Sequence, residues 1–305
     1  MPGRVLVQWE ENRRNAPAPL AVDVYTGGPA PEGLDGVVFY QVPYAPSTQG
    51  VDERLDMIAR MPDLEVVQLV SAGYEHVLPL LPEHVTLCNG RGLHDASAAE
   101  HTLGLVLAAQ RDLPRWAVDQ REHRWAPVPS RSLADQRVMI VGYGSIGKAI
   151  EDRLLPFETE VVRVANRARP EEGVHGVGEL HALLPEVDVV VLITPLTERT
   201  RGLFGAREFA LLRDDALVVN VARGPVLDTG ALLAQNGRVR AALDVTDPEP
   251  LPVGHPLWDA PGVFVTPHVA GGSVTFYRRA RAFMDAQLAR WAAGEVLENV
   301  VRPGH

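Results

Sequence analysis

The chain has 305 residues, 46% of them hydrophobic and 22% charged, a balance ordinary for a soluble globular protein and a length sufficient for two domains. Its formal charge of −10 argues against a nucleic-acid surface, which needs clustered Lys and Arg; Arg278, Arg279 and Arg281 read instead as one solvated helix face. A single cysteine, Cys88, excludes an intrachain disulfide and favours a reducing compartment; with no signal-peptide core and no apolar run long enough for a bilayer, a cytoplasmic protein without membrane contact is expected.

In chain order, strand-like runs at 5–9, 37–40, 65–70 and 85–88, with a helical pattern at 51–60, describe a small α/β block over residues 1–93. Cys88 falls on the last of these strands and reads as packing. The stretch 16–20 is proline-rich and reads as a loop. Residues 95–111 carry Ala96, Ala99, Leu103, Leu107 and Ala108 at helical spacing, an apolar stripe suited to a helix linking two domains. A second block, 94–274, restarts as strand, turn and helix at Arg137. It continues through strands at 160–165, 188–194, 216–221, 241–245 and 263–266, giving the six strands of a doubly wound parallel sheet. The proline-rich stretch 248–256 reads as a loop. A final periodic helix at 274–293 comes too late for that sheet, so residues 275–305 are expected to complete the first block.

The restart carries the most specific local signal. An apolar strand, 138–141, runs into Gly142-Tyr143-Gly144-Ser145-Ile146-Gly147 and then into a helix over 148–155. In a dinucleotide fold Gly142 takes the tight turn, Gly144 lets the backbone approach a pyrophosphate, and Gly147 lets helix and strand pack closely. The unpaired N–H groups that open the helix then face phosphate.

Three polar clusters follow later strand ends. Asn220-Val221-Ala222-Arg223-Gly224 offers a guanidinium that can grip a carboxylate through two parallel hydrogen bonds. Leu243-Asp244-Val245-Thr246-Asp247-Pro248-Glu249-Pro250 supplies carboxylates, and Thr266-Pro267-His268 supplies a histidine. A carboxylate bonded to His268 would fix its tautomer and support it as a proton donor. Taken singly, each has a bland reading as a surface charge or a structural histidine; their recurrence at successive strand ends favours one site. No metal-ligand spacing and no nucleophile elbow is present.

In these motifs, together with Ser71-Ala72-Gly73 and Ala99-Glu100-His101, the sequence resembles the D-isomer-specific 2-hydroxyacid dehydrogenases over residues 70–272. The resemblance implies a two-domain α/β protein, with a Rossmann-type doubly wound domain and a smaller flavodoxin-like substrate domain, forming a homodimer. It assigns Arg223 to the substrate carboxylate and carbonyl, His268 to acid/base work, and Glu249 to the histidine. Main-chain N–H groups of Ser71, Ala72 and Gly73 would meet the substrate carboxylate. Cofactor contacts fall on the glycine turn, Thr194, Pro195, Val221, Ala222 and Gly271, with Asp244 on the nicotinamide carboxamide.

The chain departs from that family in three places. After the strand 160–165, where NAD-selective folds place an acid, it reads Asn166-Arg167-Ala168-Arg169. With no acid and two arginines, NADPH is favoured and NAD remains possible, unless these arginines are merely solvated loop charges. Residues 228–236 look one helical turn shorter than the usual family helix. The sequence ends soon after the last helix, so no regulatory domain is expected. The reading is NADPH-dependent reduction of a small 2-oxo acid, nearest the glyoxylate and hydroxypyruvate reductases. Formate or phosphite oxidation is one alternative, and formate dehydrogenases usually carry glutamine where Glu249 stands. A corepressor-like NAD(H)-binding regulator is another. Tyr74, Leu93, Trp125 and Tyr277 are candidates for side-chain size selection, with Trp125 read equally as reaching a partner subunit or as core.

Overall fold

A computed structural model describes residues 3–44 and 51–301, which divide into two compact units, Met1–His94 with Gly272–His305 and Asp95–Gly271. In the first unit, strands β1 (Arg4–Val7), β2 (Ala21–Val24), β3 (Val37–Gln41), β4 (Val66–Gln68) and β5 (Thr86–Cys88) are joined by a last strand, Val300–Val301. The sheet runs Val300–Val301, β5, β4, β3, β1, β2, and every pairing is parallel except Val300–Val301 on β5. Sequence periodicity did not reveal β2 or Val300–Val301. Both are edge strands whose residues keep partial exposure, so neither presents the continuous apolar run of a strand buried on both faces.

The helix Val274–Ala293 closes one face of this sheet. Phe276, Ala280, Met284 and Leu288 recur every fourth residue on its buried stripe and pack with Val5, Val7, Phe39 and Cys88. Ser273 caps its start by accepting from the Phe276 N–H, and Gly294 ends it at φ +67°. Arg278 and Arg279 lie exposed. Cys88 is fully buried, and burial pushes its thiol up to about 12, which keeps it a packing residue and not a nucleophile. The helical pattern at 51–60 is broken: an α-helix, Val51–Asp56, gives way to a separate 3-10 turn, Ile58–Arg60.

The second unit is a seven-stranded, wholly parallel sheet built from β6 (Arg137–Val141), β7 (Glu160–Ala165), β8 (Val174–Gly176), β9 (Val189–Leu192), β10 (Leu217–Asn220), β11 (Arg240–Leu243) and β12 (Val263–Val265). Its order is β12-β11-β10-β9-β6-β7-β8. The chain runs outward from β6 to β8, then crosses to β9 on the other side, so the strand order reverses between β6 and β9. That reversal opens a crevice beyond the carboxyl ends of the strands. The sequence led us to expect six strands; β8 is a three-residue edge strand that its length concealed. The central strands β9 and β10 are buried along their whole length, as a sheet covered on both faces requires.

Helix Asp95–Gln110 packs on helix Ser145–Leu154 through small residues, with Ser97, Ala98, Ala99, Thr102, Leu105 and Val106 buried. The stripe expected from spacing meets this face only at Ala99; Leu103 and Leu107 are partly buried against the same core. The helix is apolar on more than one side, so periodicity alone misplaces its face. The helix read at 148–155 begins earlier, at Ser145. Helix Thr229–Leu233 is short, and the Asp228 carboxylate caps it by accepting from the Ala231 N–H.

Candidate active site

The groups of the second unit sit on loops leaving the carboxyl ends of its strands. At the end of β6, Gly142 holds φ +114°, and a Cβ there would lie 2.3 Å from the Ile193 carbonyl oxygen. Its N–H donates to the Val164 carbonyl at 2.8 Å, closing the turn onto the neighbouring strand. Gly144 differs: an added Cβ would meet nothing within 4 Å, so the turn is tight where protein lies behind it and open where a ligand would approach. Ile146 packs against the core and Gly147 is buried, while the Ser145 hydroxyl lies 3.3 Å from Asp95. No side chain caps this helix, which leaves its first N–H groups for another acceptor. After β9 come Thr194 and Pro195, and Thr194 Oγ1 is buried with no hydrogen-bond partner among the described residues. An orphaned hydroxyl beside an open glycine turn fits a phosphate-bearing cofactor.

At the end of β7, Asn166 and Arg167 are exposed, and Arg167 makes no hydrogen bond or ion pair among the described residues. Arg169 is engaged. Its Nη2 donates to the Tyr143 carbonyl at 2.9 Å, its Nε donates to Glu172 at 2.9 Å, and its guanidinium lies 5.9 Å from the Tyr143 ring centroid. Arg163 approaches the same ring at 5.7 Å and donates to the Glu151 carboxylate through Nε at 2.8 and 2.9 Å and through Nη2. The Tyr143 hydroxyl also donates to Glu151. Burial, then this bond, pushes the Tyr143 phenol up to about 12. Glu151 is only 3% exposed. Burial works against its charge, yet the bonds from Arg163 and Tyr143 outweigh it and hold the carboxyl below its ordinary value. Turn, helix and β7 are thereby joined by one charged cluster.

Arg223 follows β10. Asn220, itself buried, folds its amide back over the turn, accepting from the Ala222 N–H and donating to the Arg223 carbonyl, both at 3.1 Å. Gly224 lies flat on the next loop, since a Cβ there would fall 1.8 Å from the Thr246 carbonyl oxygen. Arg223 Nη1 donates to the Ala222 carbonyl at 2.7 Å, which steadies one corner of the guanidinium. Val221 and Ala222 are buried.

His268 Nδ1 and Glu249 Oε1 are 2.5 Å apart, with the histidine half-exposed. An ionised carboxylate only accepts, so Nδ1 carries a proton and Nε2 is left for chemistry. The His268 backbone sits at φ +53°, a left-handed conformation unfavourable for a side chain with a Cβ. Asp244 holds the loop there. It is 2% exposed; Oδ1 accepts from the Thr266 hydroxyl at 2.6 Å and the Val269 N–H at 2.9 Å, and Oδ2 accepts from the Ala270 N–H at 2.8 Å. The Asp244 carbonyl also accepts from the His268 N–H at 2.7 Å. Burial raises the Asp244 carboxyl, but these donors and His101 outweigh it and the net shift is downward.

His101 had no assigned role in the sequence. Its Nε2 lies 3.1 Å from Thr266 Oγ1 and 3.2 Å from Asp244 Oδ1. Because the Thr266 hydroxyl donates to Asp244, it accepts from His101, so Nε2 bears the hydrogen. Asn220 was likewise missed. Both lie inside motifs visible in the sequence, but their partners are backbone groups or distant residues that no local pattern marks.

In the first unit, Ser71, Ala72 and Gly73 follow β4. The Ser71 hydroxyl donates to the Gly73 carbonyl at 2.9 Å, and Asn89 donates to the Ala72 carbonyl at 2.8 Å. Leu93 is buried, and Tyr74 and Tyr277 are partly buried in that unit's cores. Trp125, in the second unit, is 96% exposed, which overturns its reading as a core tryptophan. The Gly271 carbonyl lies 3.4 Å from the Ser97 hydroxyl. The described residues contain no group of three or more His, Cys, Asp or Glu side chains suited to a metal ion, and no helix long and apolar enough to cross a membrane.

A family model described as D-isomer specific 2-hydroxyacid dehydrogenase, NAD binding domain, matches residues 103–270. The chain is 34% identical over 272 residues to glyoxylate/hydroxypyruvate reductase B of Escherichia fergusonii, spanning 84% of this chain and 83% of that protein. Its fold is similar to a D-isomer specific 2-hydroxyacid dehydrogenase of Xanthobacter autotrophicus Py2 solved with NADPH and MES, at a TM-score of 0.81, 31% identity and 99% coverage of each chain. It is also similar to the NADPH-dependent glyoxylate/hydroxypyruvate reductase of Sinorhizobium meliloti solved with NADP and sulfate, at a TM-score of 0.80 and 29% identity, covering 97% of this chain and 96% of that one.

Proposed function

We propose, from the premise that this chain belongs to the D-isomer-specific 2-hydroxyacid dehydrogenase family, that it reduces a small 2-oxo acid of the glyoxylate or hydroxypyruvate class to the D-2-hydroxy acid, with NADPH preferred. The observation that carries this reading is the His268–Glu249 pair, 2.5 Å apart, on the loops next to Arg223. A nicotinamide held there would supply hydride to the carbonyl carbon. Arg223 binds the carboxylate and carbonyl of the acid; with Nη1 tied to Ala222, the Nε and Nη2 edge is the one presented for a bidentate grip. His268 gives the proton on Nε2 to the developing alkoxide while Glu249 keeps Nδ1 protonated and the ring oriented. The loop Ser71, Ala72 and Gly73 offers main-chain N–H groups to the substrate carboxylate.

For the cofactor, the glycine turn and the N-terminus of helix Ser145–Leu154 hold the pyrophosphate, Thr194 and Pro195 line its path, and Arg167 and Arg169 favour an adenosine 2′-phosphate. Asp244 both pins the His268 loop and borders the carboxamide position. Glu249 favours this reading over formate oxidation. The exposed segment bearing Trp125 supports a homodimer in which a second copy covers it. Initial rates of NADPH and NADH oxidation against a panel of 2-oxo acids test the proposal. Turnover of glyoxylate or hydroxypyruvate, with kcat/KM at least about tenfold higher for NADPH, is expected from one charge-assisted phosphate contact. Activity only as formate or phosphite oxidation, or none with any 2-oxo acid, overturns it.

A further inference from the structure

The second residue of the glycine turn is a tyrosine with two guanidinium groups near its ring, and the turn itself does not require it. Tyr143 already satisfies the strand pairing through its main chain, the N–H donating to the Val164 carbonyl at 3.0 Å. Its ring lies 5.7 Å from the Arg163 guanidinium and 5.9 Å from that of Arg169. Its carbonyl accepts from Arg169 Nη2 at 2.9 Å, and its hydroxyl is fixed by Glu151. Glu151 is buried and paired with Arg163, so the ring hydroxyl is anchored by a buried carboxylate that is itself ion-paired. Arg169 lies just past β7, and among the described residues the only side-chain acid paired with it is the exposed Glu172.

We propose that Tyr143 is a specificity-determining residue: it acts as a platform that holds the Arg169 guanidinium beside the glycine turn, positioned for the adenosine 2′-phosphate. This deepens the NADPH reading above and rests on it. Arg167, exposed and without an ion pair among the described residues, supplies charge without fixed geometry; Arg169, 5.9 Å from the ring centroid with its Nη2 tied to the turn, supplies direction. A guanidinium ordered before the ligand arrives loses less freedom on binding, and its stacking on an aromatic face adds to its orientation. Tyr143 therefore acts on the phosphate through Arg169, as a positioning residue.

The test uses two fragments that differ only in the 2′-phosphate, 2′,5′-ADP and 5′-AMP, titrated calorimetrically into the full chain. The unmodified protein is expected to bind 2′,5′-ADP at least about tenfold more tightly. Tyr143→Leu should raise the Kd for 2′,5′-ADP about tenfold while moving that for 5′-AMP less than about twofold, and Tyr143→Phe, which keeps ring and carbonyl, should retain the preference. Arg169→Gln, a change on a surface loop, should abolish the same preference and make the Tyr143→Leu effect vanish in the double variant. An equal weakening of both fragments by Tyr143→Leu means the ring only supports the turn, and overturns the proposal. A preserved preference in Arg169→Gln overturns it whether or not the Tyr143 variants fold. If the unmodified protein binds the two fragments equally, the NADPH reading itself fails; a preference present in the unmodified protein but untouched by these variants leaves that reading standing and removes Tyr143 from it.

Discussion

At Arg223, charge and shape are separable. Arg223→Lys keeps the positive charge but loses the planar fork and the Nη1 contact to Ala222, so it should lower kcat/KM for the 2-oxo acid by about 10- to 100-fold. The Kd for NADPH should change less than about twofold, since in the proposed reaction the fork addresses the substrate. Steady-state kinetics beside cofactor titration check both halves, and wild-type kcat/KM in the variant would remove Arg223 from the site. As candidates, Arg223, Glu249 and His268 were legible because each follows a strand and is of a type that carries chemistry. Asn220 and His101 were not, because they act on the backbone turn at Ala222 and Arg223 and on the Asp244 carboxylate. A sequence shows a residue's chemistry more readily than the object it is aimed at.

Asp244 ties the end of β11 to the loop after β12. Its folded-state carboxyl is lowered, so the stability it adds is complete above the ordinary aspartate value, near about 4, and is lost as pH falls through the lower folded value. Asp244→Asn puts an amide donor or a neutral oxygen where donors already converge, and should cost about 2–3 kcal/mol near neutral pH. The gap between variant and unmodified protein should narrow as the pH is taken below about 4, as thermal unfolding at stepped pH would show. A constant gap across that range would mean that Asp244 is not ionised in the fold. The same scale explains which elements escaped sequence reading. β2, β8 and Val300–Val301 are short edge strands, each paired on one side only, and their sequences show neither a continuous apolar run nor a period long enough to count. The central strands carry Val-rich runs because helices and loops cover both their faces.

For the whole molecule, the segment from Leu113 to Val128 leaves Leu113, Val118, Trp125 and Val128 exposed at 52%, 50%, 96% and 41%. Apolar surface of that extent is costly for a monomer in water. Light scattering should return about twice the chain mass of 33.2 kDa, and Trp125→Ser should shift the population toward the single chain. A single-chain mass for the unmodified protein at micromolar concentration would refute the homodimer. The division of the chain carries a different consequence. The second unit is one continuous segment, whereas the first needs both ends of the chain, because Val5, Val7 and Phe39 are covered by the helix Val274–Ala293. Nascent domains ordinarily mature from the N-terminus onward. Here the order inverts: the central segment can fold as soon as Gly271 clears the ribosome, while the earliest strands wait with an apolar face bare until the last helix emerges. Translation of residues 272–301 is thus the step on which the first unit waits, and a stop codon ahead of it leaves the sheet of the second unit finished and that of the first without its covering helix.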